Sequence, residues 1–152
     1  FERKSTYMTF ELHALLKRDA YLIAESELNL LLLHKDANYP WFILVPKRAD
    51  IAEVFQLTAQ EQQQLLKESS MLSKVLCQVF KADKLNVAAL GNVCPQLHVH
   101  HIVRYETDAV WPAPVWGKVD AIEYNKDELR HRVDLIESAL GSVFSFKRMN
   151  SA

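Results

Sequence analysis

Apolar residues recur along the chain with two spacings, one typical of helices and one typical of strands. Helical spacing covers residues 10–18, 58–80 and 126–140. The second of these helices opens with Thr58 and Glu61, which form a capping-box pattern. Short apolar runs between polar or turn residues predict five strands, at residues 21–24, 28–33, 41–45, 85–90 and 97–105. Together these elements predict one α+β domain, with about five antiparallel strands flanked by helices.

Three connecting positions add detail to this outline. Residues 91–95, GNVCP, lie between the fourth and fifth strands and suit a hairpin. Residues 111–117, WPAPVWG, contain two prolines that forbid regular ladder pairing and two tryptophans with large apolar surfaces. We predict an ordered loop or an interface strap there. Gly141 stands at the C-terminal capping position of the last helix.

Composition limits the classes of partner. The chain has 152 residues and 49% hydrophobic content, enough for one domain over 1–152, with its core at about 10–105 and the Trp/Pro loop and last helix over 106–152. A net charge of −1 provides no general basic field, so we expect no nucleic-acid polymer as partner. No apolar run is long enough to cross a bilayer, and the placement of Cys77 and Cys94 favours a reducing cytoplasm.

The most informative stretch is QLHVHHI at residues 96–102. Because alternate strand residues share a face, Gln96, His98 and His100 are predicted on one face and His101 on the other. Imidazole near neutral pH can attack phosphorus, transfer a proton or bind a metal. A row of three polar side chains is costly to bury without purpose, which favours a ligand-facing row over packing histidines. His101 is assigned a structural or interface role.

This stretch resembles the motif of the histidine triad (HIT) family, in which histidine alternates with apolar residues, with Gln96 in the first place. The order of elements is similar as well, including YPWFILVPK at residues 39–47, and the resemblance covers about residues 21–104. With the WPAPVWG segment, the chain looks like a bacterial subgroup, the diadenosine-tetraphosphate-hydrolase-like HIT proteins. The resemblance implies a HIT-like fold, a homodimer with a continuous sheet, and no cofactor or obligatory metal.

The same resemblance implies an activity. It is that of a nucleotide hydrolase or nucleotidyl transferase, cleaving at the α-phosphate of a dinucleoside polyphosphate or a nucleoside phosphoramidate. By position His98 is the nucleophile that forms a covalent nucleotidyl-histidine, and His100 contacts the phosphate oxygens or the leaving group. Gln96 can replace the first histidine if that position chiefly orients the nucleophile through its backbone and supports it sterically. If the histidine ring is required there, activity falls. Covalent catalysis divides one difficult displacement into two easier ones.

Several further residues stand at positions that the family uses. Asn86 would contact phosphate or orient the nucleophile, or be an ordinary strand-edge residue. Asn92 would donate to the bridging or leaving oxygen, or make a turn. Asp36 would accept ribose hydroxyls, or form a turn. The chain departs from the family at Val93, where relatives often have a hydroxyl, and at Trp41, where many have histidine.

Two other functions stay open at this stage. The pair His98 and His100 with Glu106 resembles the ligand spacing of a metal-dependent cupin-type barrel, although two strong amphipathic helices argue against an almost all-strand fold. The changes at Gln96 and Val93 also make credible a nucleotide-binding protein with little turnover, since losing one preorganised donor can cost on the order of 10²–10³ in rate. The metal content of the purified protein would distinguish the cupin-type barrel from the HIT-like enzyme. Turnover kinetics would distinguish the binding protein from the enzyme.

Overall fold

The computed structural model describes residues 9–148. Its helices and strands follow in the order α1 Ala14–Asp19, β1 Ala20–Glu25, β2 Asn29–His34, β3 Trp41–Pro46, a 3-10 turn Val54–Gln56, α2 Ala59–Phe80, β4 Lys84–Ala88, β5 Val99–Arg104, α3 Lys126–Leu140 and β6 Ser145–Phe146. Helices and strands therefore occur where the pattern predicts them, with one additional strand. That strand, β6, has two residues and is too short to carry an alternation signal.

All strands join one antiparallel sheet in the order β4-β5-β3-β2-β1-β6. β5 therefore lies between β4 and β3, inside the sheet, while β4 forms one edge. The open antiparallel sheet with helices confirms the predicted α+β class and is not a cupin-type barrel.

Strand alternation divides the core between the two faces of the sheet. One face packs against α2 and α3, and its buried residues include Leu31, Leu33, Phe42, Leu44, Val103, Leu72 and Ile136. The other face packs against α1 and the segments that follow β4 and β5, and its buried residues include Leu30, Leu32, Ile43, Ile102, Leu16 and Val115. Each large apolar side chain that is fully buried contributes roughly 1.5–3 kcal/mol, so both faces hold the sheet in place.

The two long helices are capped by local sequence. At the start of α2, Glu61 N donates to Thr58 Oγ1 at 3.2 Å, and Thr58 N donates to Glu61 Oε2 at 3.0 Å, which confirms the capping box. Gly141 follows α3 as predicted, but its φ of −65° is right-handed and not the left-handed form usual for a glycine cap.

Two predicted elements begin or end elsewhere. The predicted helix over residues 10–18 starts only at Ala14, because Gln96 Nε2 donates to Glu11 O and His13 N donates to Gln96 Oε1, which ties the preceding backbone to a distant loop. The connection between β4 and β5 is longer than the predicted hairpin and spans residues 89–98. Leu97 N donates to Ile51 O at 2.8 Å, outside the strand ladder.

Within residues 9–148, each helix is too short or too polar to serve as a membrane span. Both cysteines are free, Cys77 exposed and Cys94 buried.

Candidate active site

Two histidine rings meet at the beginning of β5. The ring centroids of His98 and His100 are 4.8 Å apart and the rings meet edge to face at 76°. Each residue is 6% exposed. His98 lies immediately before the first residue of β5 and not within the strand, yet the two rings remain on the same side. The pair is thus held at the start of an interior strand.

A backbone carbonyl fixes the proton of His98. Its Nδ1 lies 2.7 Å from Gln96 O, and a carbonyl oxygen only accepts hydrogen bonds. The proton of the neutral ring therefore sits on Nδ1, which leaves a lone pair on Nε2. That tautomer is the form in which Nε2 can act as a nucleophile.

The side chain of Gln96 points to the N-terminal segment. Its Oε1 accepts from His13 N at 2.9 Å and its Nε2 donates to Glu11 O at 2.8 Å. The amide therefore ties the loop before β5 to the start of α1, while the carbonyl of the same residue orients His98.

His100 has the opposite tautomer. The indole Nε1 of Trp41 donates to His100 Nδ1 at 2.9 Å, so the ring proton of neutral His100 sits on Nε2. Nε2 faces the Leu90 carbonyl at 3.4 Å. Burial, with a smaller effect of the neighbouring His98, lowers the pKa of His100 to about 3. His100 is therefore neutral near pH 7 and offers a hydrogen-bond donor.

Aromatic rings surround this pair. His34 stacks on the Trp41 indole with centroids 3.9 Å apart, and burial lowers the pKa of His34. Trp116 meets the edge of Trp41 at 6.0 Å and of His100 at 5.5 Å. The WPAPVWG segment is thus an ordered loop that packs against the histidine pair of its own chain.

A buried ion pair holds that loop in place. The Arg104 Nε donates to Asp108 Oδ2 at 2.7 Å, and both side chains are almost fully buried, at 1% and 3% exposure. Arg104 Nη2 also donates to the carbonyl of Ala113, and its guanidinium lies over the Trp111 ring, 5.6 Å from the centroid. Arg104 thus connects the last residue of β5 to the loop that carries Trp116.

A cavity of about 170 Å³ lies beside His98. It is lined by Ala52, Glu53, Ala89, Gly91, Asn92, Pro95, Gln96, Leu97 and His98. A second cavity of about 350 Å³ shares Ala52, Pro95 and Gln96 with it and adds His13, Asp50 and Ile51. The first cavity therefore joins three of the predicted site residues, Gln96, Asn92 and His98, and His100 adds its ring contact with His98.

Two predicted site residues lie elsewhere and have other partners. Asn86 Oδ1 accepts from Arg104 Nη1 at 2.8 Å. Asp36 Oδ1 accepts from both nitrogens of Asn38, at 2.9 Å and 2.8 Å, and from Ile122 N at 3.2 Å. Neither residue lines the cavity beside His98. His101, on the opposite face, pairs with Ser69 Oγ on α2 at 2.7 Å, in agreement with a structural role.

Sequence patterns did not reveal the parts played by Gly91 and Trp41. A Cβ on Gly91 would lie 2.6 Å from Cys94 O and 3.3 Å from His98 Cε1, so this position needs glycine for close packing beside the His98 ring. Trp41 is paired with Ile102 in the β3–β5 register, which brings its indole to His100. The turn residues Gly91 and Asn92 could be identified in the sequence, but no local sequence pattern connects positions 41 and 100.

Within residues 9–148 no group of three or more His, Cys, Asp or Glu side chains is arranged to hold a metal ion. The side chains of the site offer an imidazole nitrogen with a lone pair, a neutral imidazole donor and a small polar cavity.

Fold and site together define a small open-sheet α+β protein with paired histidines at a central strand. The family model described as "HIT domain" matches residues 16–107, more than half of the chain. A histidine triad protein from Bradyrhizobium japonicum has 42% identity and a TM-score of 0.86, over 87% of this chain and 98% of that one. One from Marinobacter aquaeolei has 43% identity and a TM-score of 0.87, over 90% of this chain and 99% of that one.

A histidine triad protein from Sinorhizobium meliloti is similar too, with 42% identity and a TM-score of 0.84, over 87% of this chain and 98% of that one. No curated protein matches the sequence. The chain belongs to the HIT family. Proteins with this domain typically bind nucleotides and act as nucleotide hydrolases or transferases.

Proposed function

We propose that this protein cleaves nucleotides at the α-phosphate, with His98 Nε2 as the attacking atom. The observation that carries the proposal is the contact of His98 Nδ1 with Gln96 O, because it leaves the lone pair of Nε2 free on a ring that lines a cavity. Membership of the HIT family supports a nucleotide as the ligand.

The reaction would proceed in two displacements. The Nε2 lone pair forms an N–P bond while the bond from phosphorus to the leaving group breaks, and the leaving atom keeps that electron pair. The positive charge on the nucleotidyl-imidazole is stabilised by the Gln96 carbonyl, which accepts from Nδ1–H. Water or another acceptor then attacks phosphorus, the N–P bond breaks, its electrons return to Nε2, and the proton of the acceptor passes to solvent.

The other predicted site residues take supporting roles in this proposal. His100 would exchange its 3.4 Å contact with Leu90 O and donate from Nε2–H to a phosphate oxygen or to the leaving group, as a neutral donor. Asn92, which lines the cavity, would donate to the bridging or leaving oxygen. Asn86 and Asp36 remain predictions as phosphate and ribose contacts, since each would have to exchange partners that it holds.

The substrates that we propose are dinucleoside polyphosphates, such as diadenosine tetraphosphate, or nucleoside phosphoramidates. A second candidate is nucleotide binding with little turnover. It is favoured by Val93, which is 82% exposed and provides no hydroxyl next to Asn92 in the chain.

A panel of adenylated and guanylated compounds, assayed without added metal, tests the proposal. We expect release of a nucleoside monophosphate. When the reaction is quenched rapidly without acid, mass spectrometry of the protein should detect a nucleotidyl adduct on His98. His98→Ala should abolish both signals. His131→Ala is the control, because His131 is an exposed histidine on α3. Normal turnover by His98→Ala would refute the assignment, and nucleotide binding without turnover by the native protein would establish the second candidate.

We also propose a homodimer that pairs through β4. β4 is an edge strand with β5 as its sheet neighbour, and Val87, Leu90 and Val93 expose apolar surface on or just after it. Light scattering should show a dimer that Val87→Lys converts to a monomer, whereas Leu66→Lys, on the exposed side of α2, should leave it intact. A native monomer would refute this proposal.

Two free cysteines fit a reducing compartment, and we propose the cytoplasm.

A further inference from the structure

The hydrogen bond from Trp41 to His100 works in one direction only. An indole nitrogen carries a hydrogen and has no lone pair to accept with, so Trp41 Nε1 always donates and His100 Nδ1 always accepts. The indole itself is held firmly. Trp41 is 5% exposed, His34 stacks on it at 3.9 Å, and Tyr39 and Trp116 meet its edges at 6.3 Å and 6.0 Å.

This direction limits what His100 can do with its own proton. To act as a general acid, the ring would have to carry protons on both nitrogens, and a proton on Nδ1 would face the N–H of Trp41. A neutral ring could release the Nε2 proton only if Nδ1 received one at the same time, and indole does not supply it. The pKa of His100, lowered to about 3 mainly by burial, also keeps the ring from carrying a second proton. His100 therefore donates a hydrogen bond without transferring its proton.

Other groups near the site do not replace this missing acid. The Nδ1–H of His98 is bonded to Gln96 O, and its Nε2 is the attacking atom. Glu53 lines the cavity with a carboxyl group, and an ionised carboxyl group only accepts hydrogen bonds. Val93, the residue after Asn92, offers no hydroxyl. His13 and Asp50 line the adjoining cavity, where His13 Nδ1 accepts from Leu15 N. Among the described side chains that line these two cavities, none carries a hydroxyl, ammonium or guanidinium group that could protonate a departing group.

We propose that Trp41 is a positioning residue that holds His100 as a permanent Nε2–H donor and thereby restricts the enzyme to leaving groups that depart as anions. This inference rests on the proposed function and narrows its substrate class to phosphoric anhydrides. When the bond from the α-phosphorus to a bridging oxygen breaks, its electron pair stays on a phosphate oxygen, which needs no proton because phosphate groups have a second pKa of about 6. When the broken bond is P–N, the nitrogen must gain a proton to leave as an amine.

Two measurements test the inference. The first compares kcat/KM for diadenosine tetraphosphate and adenosine 5′-phosphoramidate in the native protein, Trp41→His and Trp116→Phe. General acid catalysis contributes roughly 10²–10⁴-fold, so the native protein should favour the anhydride by at least about 100-fold. Trp41→His should reduce this preference by about 10-fold or more, because a second imidazole can both donate and accept. Trp116→Phe is the matched control: it too replaces an indole in contact with the His100 ring, but no hydrogen bond joins that indole to His100 within residues 9–148.

The second measurement needs no substrate. Long-range ¹H–¹⁵N spectra should show His100 as the Nε2–H tautomer from pH 4.5 to 8 in the native protein and Trp116→Phe. In Trp41→Phe, which removes the donor and keeps an aromatic ring, the Nδ1–H tautomer or a titrating ring should appear. Equal rates on the two substrates in the native protein, or a native His100 that carries its proton on Nδ1, would overturn the inference. If neither substrate reacts, the proposed function and the substrate restriction both fail, and the spectra still decide whether Trp41 fixes His100.

Discussion

Gly91→Ala offers a quantitative test of how the loop before β5 supports His98, the proposed nucleophile. The new Cβ would lie 2.6 Å from Cys94 O, and ordinary contact begins at 3.4 Å, so the carbonyl and its loop would have to move by about 0.8 Å. The same Cβ would press on His98 Cε1 at 3.3 Å. Overpacking of this kind costs about 1–3 kcal/mol of stability, and displacing a catalytic group by about 1 Å can cost about 10²-fold in rate. We expect both effects together.

The assay pairs kcat/KM, on whichever nucleotide the native protein turns over, with urea unfolding. Gly117→Ala is the control, since Gly117 has a φ of +68° and a Cβ there would meet nothing within 4 Å. Its left-handed backbone should cost a similar 1–2 kcal/mol without moving His98. We expect Gly91→Ala to lose about 100-fold in kcat/KM while Gly117→Ala stays within about three-fold of the native value. Full activity in Gly91→Ala, or an equal loss in Gly117→Ala, would show that the close contact does not position His98.

The remaining predictions concern stability and its dependence on pH. Burial lowers the pKa of His101 to about 4 from its ordinary 6.5. The unfolded chain therefore binds more protons than the folded chain as pH falls below 6.5, and at pH 5 this residue should lower the free energy of unfolding by about 2 kcal/mol. Urea unfolding between pH 7 and 4.5 should show a smaller loss in His101→Gln; an unchanged pH dependence would contradict the assignment. Asp108→Asn removes the charge that Arg104 faces, and leaving a buried charge unpaired costs about 3–5 kcal/mol. Burial would raise the pKa of Asp108, but hydrogen bonds from Arg104 and from backbone N–H groups lower that pKa overall. Ionised Asp108 should therefore stabilise the folded protein above pH 4, and this stabilisation should disappear as pH falls further. Comparable stabilities of Asp108→Asn and the native protein at pH 7 would refute this account.

Local patterns in the sequence determined much of the fold. The apolar spacing and capping residues of α2 and α3 act within a few positions of the chain, and both helices form where these signals predict. Strand alternation likewise places His98 and His100 on one side and turns His101 towards α2, because the geometry of an extended backbone repeats every two residues. The family motif could therefore be identified before any tertiary contact was known.

Contacts between distant positions were decided by the tertiary structure. Gln96 and His13 are 83 positions apart, and their bond shortens α1 and fixes the loop that orients His98. Trp41 and His100 are 59 positions apart, and only the pairing of β3 with β5 brings the indole to the imidazole. Asn86 contacts Arg104 for the same reason, across the β4–β5 pair. Local periodicity specifies which face a residue occupies, whereas its partner, and with it the tautomer of each histidine, depends on strand order and register in the folded sheet.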